Sequence, residues 1–451
     1  MNDTERICNL VCELLREELP DRILGEVKAC ILDYLGVTFA GARELSKELK
    51  AYLSSLSGEG GGAKAIGLGI TAPAEDAAFV NGVSSHMSEL DDGCRFGMVH
   101  VGAPVLSALF SLAGCIEITP DAFLRAVLVG YEVTIRLAAT IQPGHKLKGF
   151  HATGTCGCVG AAAAAAVALG VPADRLKSVI SAAAASASGL LEMMDDPSQM
   201  KPFNVGKAAQ NGIVAARFGS LGLLGPNDPV GGRRGLFCNM AGEVHDGWFD
   251  REDGKKYMIS SAYKKPYSSC RHCHSAVEAA LTIAEAPDFC SKDIERVVVS
   301  TYGLAVAGHD HTDIISASSA KMSIPYSVAA ALVLKTGGAE AMTEQMVRNP
   351  SILELTNRVS VVEEPEYSEQ VPAKRIAKVD AIMKNGEVFS QKVEYSKGEP
   401  ENPMTRTDLE NKFMQLALSA GIMPERCRKI IAAVDELDQT DHGLQSLYEL
   451  L

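Results

Sequence analysis

Apolar positions recur at helical spacing from the start of the chain, with Ile7, Val11, Leu14 and Leu15 in one segment and Ile23, Val27, Ile31 and Leu35 in the next. Pro20 and Asp21 separate the two. The same period predicts helices over 74–90, 103–115, 120–140, 158–170, 173–191 and 205–224, each bounded by Gly, Pro, Asp or Ser. The high alanine and glycine content of this half predicts helices packed at short axial distance in one large bundle.

After about residue 263 the period changes. Residues 294–302 and 358–362 read as strands, and 377–395 as two alternating runs around Asn385-Gly386, a tight-hairpin signal. Helices are predicted over 275–286, 323–336 and 340–347, and again over 407–420 and 424–437 beyond the Pro400 and Pro403 linker. The expected fold is mainly α: a large all-helical domain from 1–263 together with 405–451, and a smaller α+β domain, 264–404, with an antiparallel sheet.

With 451 residues and 47% hydrophobic content the chain can bury a sizeable core. Its formal net charge of −13 argues against a nucleic-acid surface, which needs a basic stripe. The Ala-rich runs 159–171 and 179–191 are interrupted by Pro172, Asp174, Arg175 and Lys177, so no membrane span is expected. The amino terminus is polar and acidic, without a secretory apolar region, which makes a cytoplasmic, reducing location the expectation and leaves the twelve cysteines as thiols.

Two stretches carry candidate chemistry. In Lys148–Gly160 a histidine, His151, and two threonines stand ahead of a helix of small residues, which places polar groups where tightly packed backbone begins. Cys270-Arg-His-Cys-His274 is dense in metal-ligand types, with Cys238 and His245 upstream and His309 and His311 downstream. Its ligands crowd within five positions without a second spaced pair, and no metal or other cofactor is expected from it.

Eight segments in order resemble the MmgE/PrpD family: 77–82, 88–93, 100–104, 130–133, Gly149-Phe-His151 with Gly154-Thr155, Lys201-Pro202 before 206–209, Lys265-Pro-Tyr267 before Cys270-Arg-His272, and Ser323-Ile-Pro-Tyr326. The resemblance covers nearly the whole chain. It implies a homodimer that performs cofactor-independent chemistry on small di- or tricarboxylates, and a cleft lined by Asp91, Asp92, His100, His151, Lys201, Lys265 and Tyr326.

On that basis His151 is the first candidate for general acid or base, because imidazole trades protons near neutral pH. His100 is the second, with Asp91 or Asp92 orienting it or acting as base, and Tyr326 joins the catalytic set. Lys201, Lys265, Arg271 and Arg95 are the candidate cations for substrate carboxylates. Where the family commonly has Asp-Phe-Asp-Asp-Thr this chain has Glu89-Leu-Asp-Asp-Gly93, with Val101 in place of a proline and Asn204 in place of a histidine. The leading expectation is a lyase that dehydrates a 2-methylcitrate-like hydroxy acid by proton abstraction α to a carboxylate. Decarboxylation of a cis-aconitate-like acid and epimerisation of an iminodisuccinate-like acid are the alternatives, and a non-catalytic binding or scaffold protein is the alternative from another class.

Overall fold

The computed structural model describes residues 1–56, 61–194, 198–252 and 256–451. The helical period of the first segments yields α1 (Asp3–Arg16) and α2 (Asp21–Glu44). A reciprocal cap opens α1, in which Asn2 accepts from the Glu5 amide and Glu5 accepts from the Asn2 amide. There follow α3 (Ala74–Met87), α4 (Gly102–Ala113), α5 (Pro120–Ile141), α6 (Ala152–Ala168), α7 (Leu176–Ser186) and α8 (Lys201–Ser220). Helix α5 starts where Thr119 accepts from the Ala122 amide and Pro120 occupies the first turn, where a missing N–H costs nothing.

Helix α6 begins six residues earlier than its alanine run indicates, with His151 as its extended N-cap. Gly154 and Gly157, which stand ahead of the expected helix start at 158, are packing positions inside the helix: a Cβ on Gly157 would lie 2.9 Å from Pro104 Cγ on α4. Helices α3 and α8 meet in the same way, since a Cβ on Gly82 would stand 2.9 Å from Gly206 Cα. Close backbone approach is thus what the small residues provide.

The second part holds α9 (His274–Ala284), α10 (Ile324–Leu334) and a four-stranded sheet of β1 (Ile294–Thr301), β2 (Val359–Glu363), β3 (Ala377–Met383) and β4 (Val388–Val393), in the order β2-β1-β3-β4. The β1/β3 and β3/β4 pairs are antiparallel, and Gly386 takes φ +85° in the hairpin, as the Asn-Gly signal requires. In addition, β2 joins the other side of β1 in parallel, its chain returning after the crossover that contains α10. Over 340–347 there are two 3₁₀ turns, Ala339–Met342 and Met346–Arg348; the α-helix starts instead at Pro350, where Asn349 caps the Ser351 amide.

Two large hydrophobic cores result. One unites Ile7, Leu35, Val129 and Ala163 with Phe413, Ile430 and Leu447 from α11 (Arg406–Ser419), α12 (Pro424–Asp435) and α13 (Gly443–Glu449). The other lies between the sheet, α9 and α10. The carboxy-terminal helices therefore pack back on the first core, where Lys412 reaches across to Asp33 (2.6 Å). Among the described residues no helix is long and apolar enough to cross a membrane.

Candidate active site

Helix α3 ends immediately before the acidic segment. Glu89 follows in a left-handed turn (φ +53°), a conformation that costs a non-glycine residue about 1 kcal/mol or more and is retained where surrounding contacts fix it. Its buried carboxylate is fixed by two lysines: Lys201, the first residue of α8, on Oε1, and Lys265 on Oε2 at 3.0 Å. An ammonium at a helix N-terminus opposes the helix dipole, and Glu89 offsets that penalty. Burial pushes the Glu89 carboxyl up, but Lys201 and Lys265 outweigh it and hold it well below the usual range.

Two residues on, Asp91 Oδ2 lies 2.7 Å from His86 Nδ1 and 3.2 Å from His100 Nδ1. Burial would raise this carboxyl as well; the imidazoles of His100 and His86 bring it well below its normal value. His86 therefore donates Nδ1–H to Asp91. His100 Nδ1 is also 2.8 Å from the Asp92 carbonyl, which can only accept, so this nitrogen carries its proton too. The Nε2 of His86 is buried with no hydrogen-bond partner among the described residues and lies 3.8 Å from Glu89 Oε1. The two rings are 4.7 Å apart, and His151 stands 6.0 Å from His86.

His151 has the opposite tautomer. The Asn204 side-chain amide donates to the Leu190 carbonyl at 3.1 Å, which orients its NH₂ toward His151 Nδ1 at 3.3 Å. That nitrogen must accept, leaving Nε2–H as the donor. Burial first, then Lys201 and the other two histidines, hold the His151 pKa well below its ordinary value, so the ring is a neutral hydrogen-bond donor.

Two connected cavities adjoin these groups. The larger, about 380 Å³, is lined by His86, Glu89, Lys146, Lys201 and His309; the smaller, about 70 Å³, by His100, His151, Lys201, Cys270, His272 and Arg375 among others. First-turn residues of α6 and α8, and the 3₁₀ turn that leads into α9, face the smaller cavity, so three helix N-termini favour anions there. The half-buried Lys146 ammonium meets the His272 ring at 3.1 Å, and neither it nor the buried Arg375 has a carboxylate within ion-pair distance among the described residues. Sequence reasoning missed Lys146 and Arg375, because neither lies in a distinctive motif.

The structure brings together His100, His151, Asp91, Lys201 and Lys265, and Arg271 reaches the smaller cavity. Three expected residues are placed elsewhere. Tyr326 is buried in the second core, where its hydroxyl donates to the Ala341 carbonyl at 2.9 Å; its position in the first turn of α10 aims it inward. Asp92 caps the start of α4, with Oδ1 accepting from the Gly102 amide at 2.8 Å and Oδ2 from the Tyr131 hydroxyl, so both oxygens are spent on structure. Arg95 is committed to Glu399 (2.9 Å) and Glu401, while Arg271 holds the other oxygen of Glu399 at 2.8 Å. Glu399 thereby ties the acidic segment to the second part of the chain.

Two groups of side chains have metal-ligand types close together: His86 with Glu89 and His100, and Cys270 with His272 and His309. In the first, both oxygens of Glu89 are already held by lysines. In the second, His272 Nδ1 bonds Tyr302 at 2.7 Å and Nε2 accepts from Lys146, so neither nitrogen is available and an ammonium stands where a dication would bind. Neither set suits a resident metal.

The chain is mainly helical, and its cleft gathers carboxylates, histidines and cations from both parts of the chain. The MmgE/PrpD N-terminal domain model matches residues 5–246 and the MmgE/PrpD C-terminal domain model residues 267–439, and the chain belongs to the MmgE/PrpD family. It is 27% identical to the cis-aconitate decarboxylase of Homo sapiens over 91% of this chain and 86% of that protein. It is 26% identical to that of Mus musculus over 97% of this chain and 91% of the relative, and 24% identical to that of Aspergillus terreus over 99% and 94%.

Proposed function

We propose that the protein is a lyase acting on a small di- or tricarboxylate, and that its reaction is decarboxylation of a cis-aconitate-like acid. The observation that carries this reading is the convergence of Lys146, Arg375 and Lys201 on one cavity with His100 and His151. A buried cation without a carboxylate partner, as Arg375 is among the described residues, is costly unless an anion completes it, and a substrate carboxylate matches that need. Residues 264–404 act in this picture as a lid over a body formed by 1–263 with 405–451.

In decarboxylation the C–C electron pair stays on the substrate as CO₂ leaves, and the charge spreads through the double bond toward a retained carboxylate. Lys201 and Arg375 stabilise that charge, and the neutral His151 Nε2–H donates a hydrogen bond to it without giving up its proton. The relatives named as cis-aconitate decarboxylases favour this step over the dehydration that the sequence alone favours.

Dehydration of a 2-methylcitrate-like acid is supported by one separate observation. His86, whose Nδ1 is held by Asp91 and whose Nε2 makes no hydrogen bond among the described residues, is oriented as a base that would remove a proton α to a carboxylate, which decarboxylation does not require. Incubation with cis-aconitate and with 2-methylcitrate in D₂O separates the readings, following CO₂, loss of water and deuterium incorporation individually. CO₂ release is expected with cis-aconitate. Loss of water alone would replace decarboxylase by dehydratase, exchange without net loss would indicate an epimerase, and no change with any such acid would leave a non-catalytic binding protein.

The homodimer implied by the resemblance is part of the same proposal. Phe203, Val214, Phe218 and Leu221 recur on one face of α8 and its extension and are exposed, followed by Leu224 at 98% exposure. A stripe of this kind on a helix that also supplies Lys201 suits an interface between two copies.

A further inference from the structure

Loss of CO₂ leaves a carbanion that must be protonated, and His151, His100 and Tyr326 are poor donors. His151 is held neutral; burial also lowers His100, Asp91 restoring only part of the loss; and Tyr326 is outside the cleft. A separate pair on the opposite wall fits the task. Cys270 Sγ lies 3.7 Å from His309 Nε2, and His309 Nδ1 is 2.9 Å from the Met322 carbonyl. The carbonyl can only accept, so Nδ1 carries a proton and Nε2 is turned to the sulfur, the geometry in which a thiolate would accept from it. Cys270 and His309 both line the smaller cavity beside Lys201 and His151.

We propose that Cys270 and His309 form a thiolate–imidazolium pair and that His309 Nε2–H is the acid that protonates the substrate carbon after CO₂ has left. Resting on the decarboxylase reading, this assigns His309 as a catalytic residue and Cys270 as the positioning anion that keeps it charged. The step balances: the carbanion's electron pair takes the Nε2 proton, the new C–H bond forms, His309 becomes neutral beside the thiolate, and a proton from water restores the pair.

The surroundings support the charge state. Burial by itself would push the Cys270 thiol up; His309, followed by Lys201, outweighs it and draws the thiol down to about 5. Lys146, Lys265 and Arg375 also act on the sulfur, with Glu89 opposing them. Next to His309 the His272 ring stacks at 5.1 Å, held uncharged by burial and by Lys146. The same cationic surroundings that disfavour a metal here favour a thiolate.

The experiment has two arms on the intact protein. Alkylation of Cys270 by iodoacetamide, located by peptide mass mapping, is followed against pH in wild type and His309→Gln. Wild type is expected to react at pH 6 about tenfold or more faster than the variant, since a lost thiolate fraction is only partly offset by higher intrinsic nucleophilicity. Equal rates with an ordinary thiol profile in both would overturn the pair. In the second arm, the kcat–pH profile with cis-aconitate is compared between wild type and Cys270→Ser. Loss of the thiolate should move the basic limb to lower pH by about one unit or more while KM changes little, and His309→Gln should lower kcat about a hundredfold. An unmoved basic limb, or near-normal kcat in His309→Gln, would overturn the acid role. The alkylation arm needs no turnover, so a wild type inert toward every polycarboxylate defeats the decarboxylase reading and the acid role that rests on it, while the alkylation profile still decides the pair.

Discussion

Asn204 fixes the tautomer of His151: its amide, oriented by the Leu190 carbonyl, presents NH₂ to Nδ1 and leaves the proton on Nε2. Asn204→Asp would place an acceptor there, attract the proton to Nδ1 and turn Nε2 into a lone pair facing the substrate. We expect kcat to fall about a hundredfold or more with KM little changed, because positioning partners of this kind act on the step and not on binding. Steady-state kinetics with unchanged circular dichroism checks this, and activity within a factor of three of wild type would contradict it.

The pH dependence of stability follows from the same buried groups. His151, His272 and His274 all have pKa values held well below normal, burial being the largest cause in each. As pH falls below about 6.5 the unfolded chain binds protons that the folded state refuses, so each such histidine removes up to about 1.4 kcal/mol of stability per pH unit. Glu89 and Asp91 have depressed values, so their contribution is present above the unfolded range near 4 and is lost as pH falls through their folded values. Both effects have the same sign. The melting temperature should therefore decline from about pH 6.5 downward and again, more steeply, below about 4.5, and His274→Gln should flatten the first decline. Scanning fluorimetry across pH 4 to 8, in which wild type and variant stayed flat down to 5, would refute the histidine account.

The parts legible in sequence were those set by period and punctuation. Helices α1–α8 and the hairpin at Asn385-Gly386 follow from apolar spacing, caps and turn residues, whereas the helix Ser46–Ser55 carried no such signal. Glycines misled where they serve close packing, as at Gly157, because a helix interior glycine and a loop glycine look the same without the neighbour it admits. In the site, His100, His151, Lys201 and Lys265 were recognisable from short motifs. Lys146 and Arg375 were not, and His309 stood out only as a metal-ligand type near Cys270, since each arrives from a distant element and only the folded chain shows what it faces.

Tyr326 provides a test of that limit. Its side chain lies in the second core and its hydroxyl serves the Ala341 carbonyl, so Tyr326→Phe removes one buried hydrogen bond and leaves the cleft unchanged. A loss of about 1 kcal/mol in stability is expected, with kcat/KM within about threefold of wild type. Urea unfolding and steady-state kinetics together decide it: a fall of a hundredfold in kcat at unchanged stability would return Tyr326 to the catalytic set.

The exposed face of α8 gives the last prediction. Phe203, Val214, Phe218 and Leu221 share one side of the helix, while its buried side packs Gly206 against α3 and begins with Lys201 at Glu89. If two copies join through this face, Phe218→Glu places a charge in an apolar contact and should convert a dimer to a monomer, read by light scattering as a halved mass. Because the same helix carries Lys201 into the cleft, loss of the partner should also loosen the Lys201–Glu89 contact and lower activity several-fold. A wild type that already runs at the mass of one chain, or a variant that stays dimeric, would refute the assignment of this face.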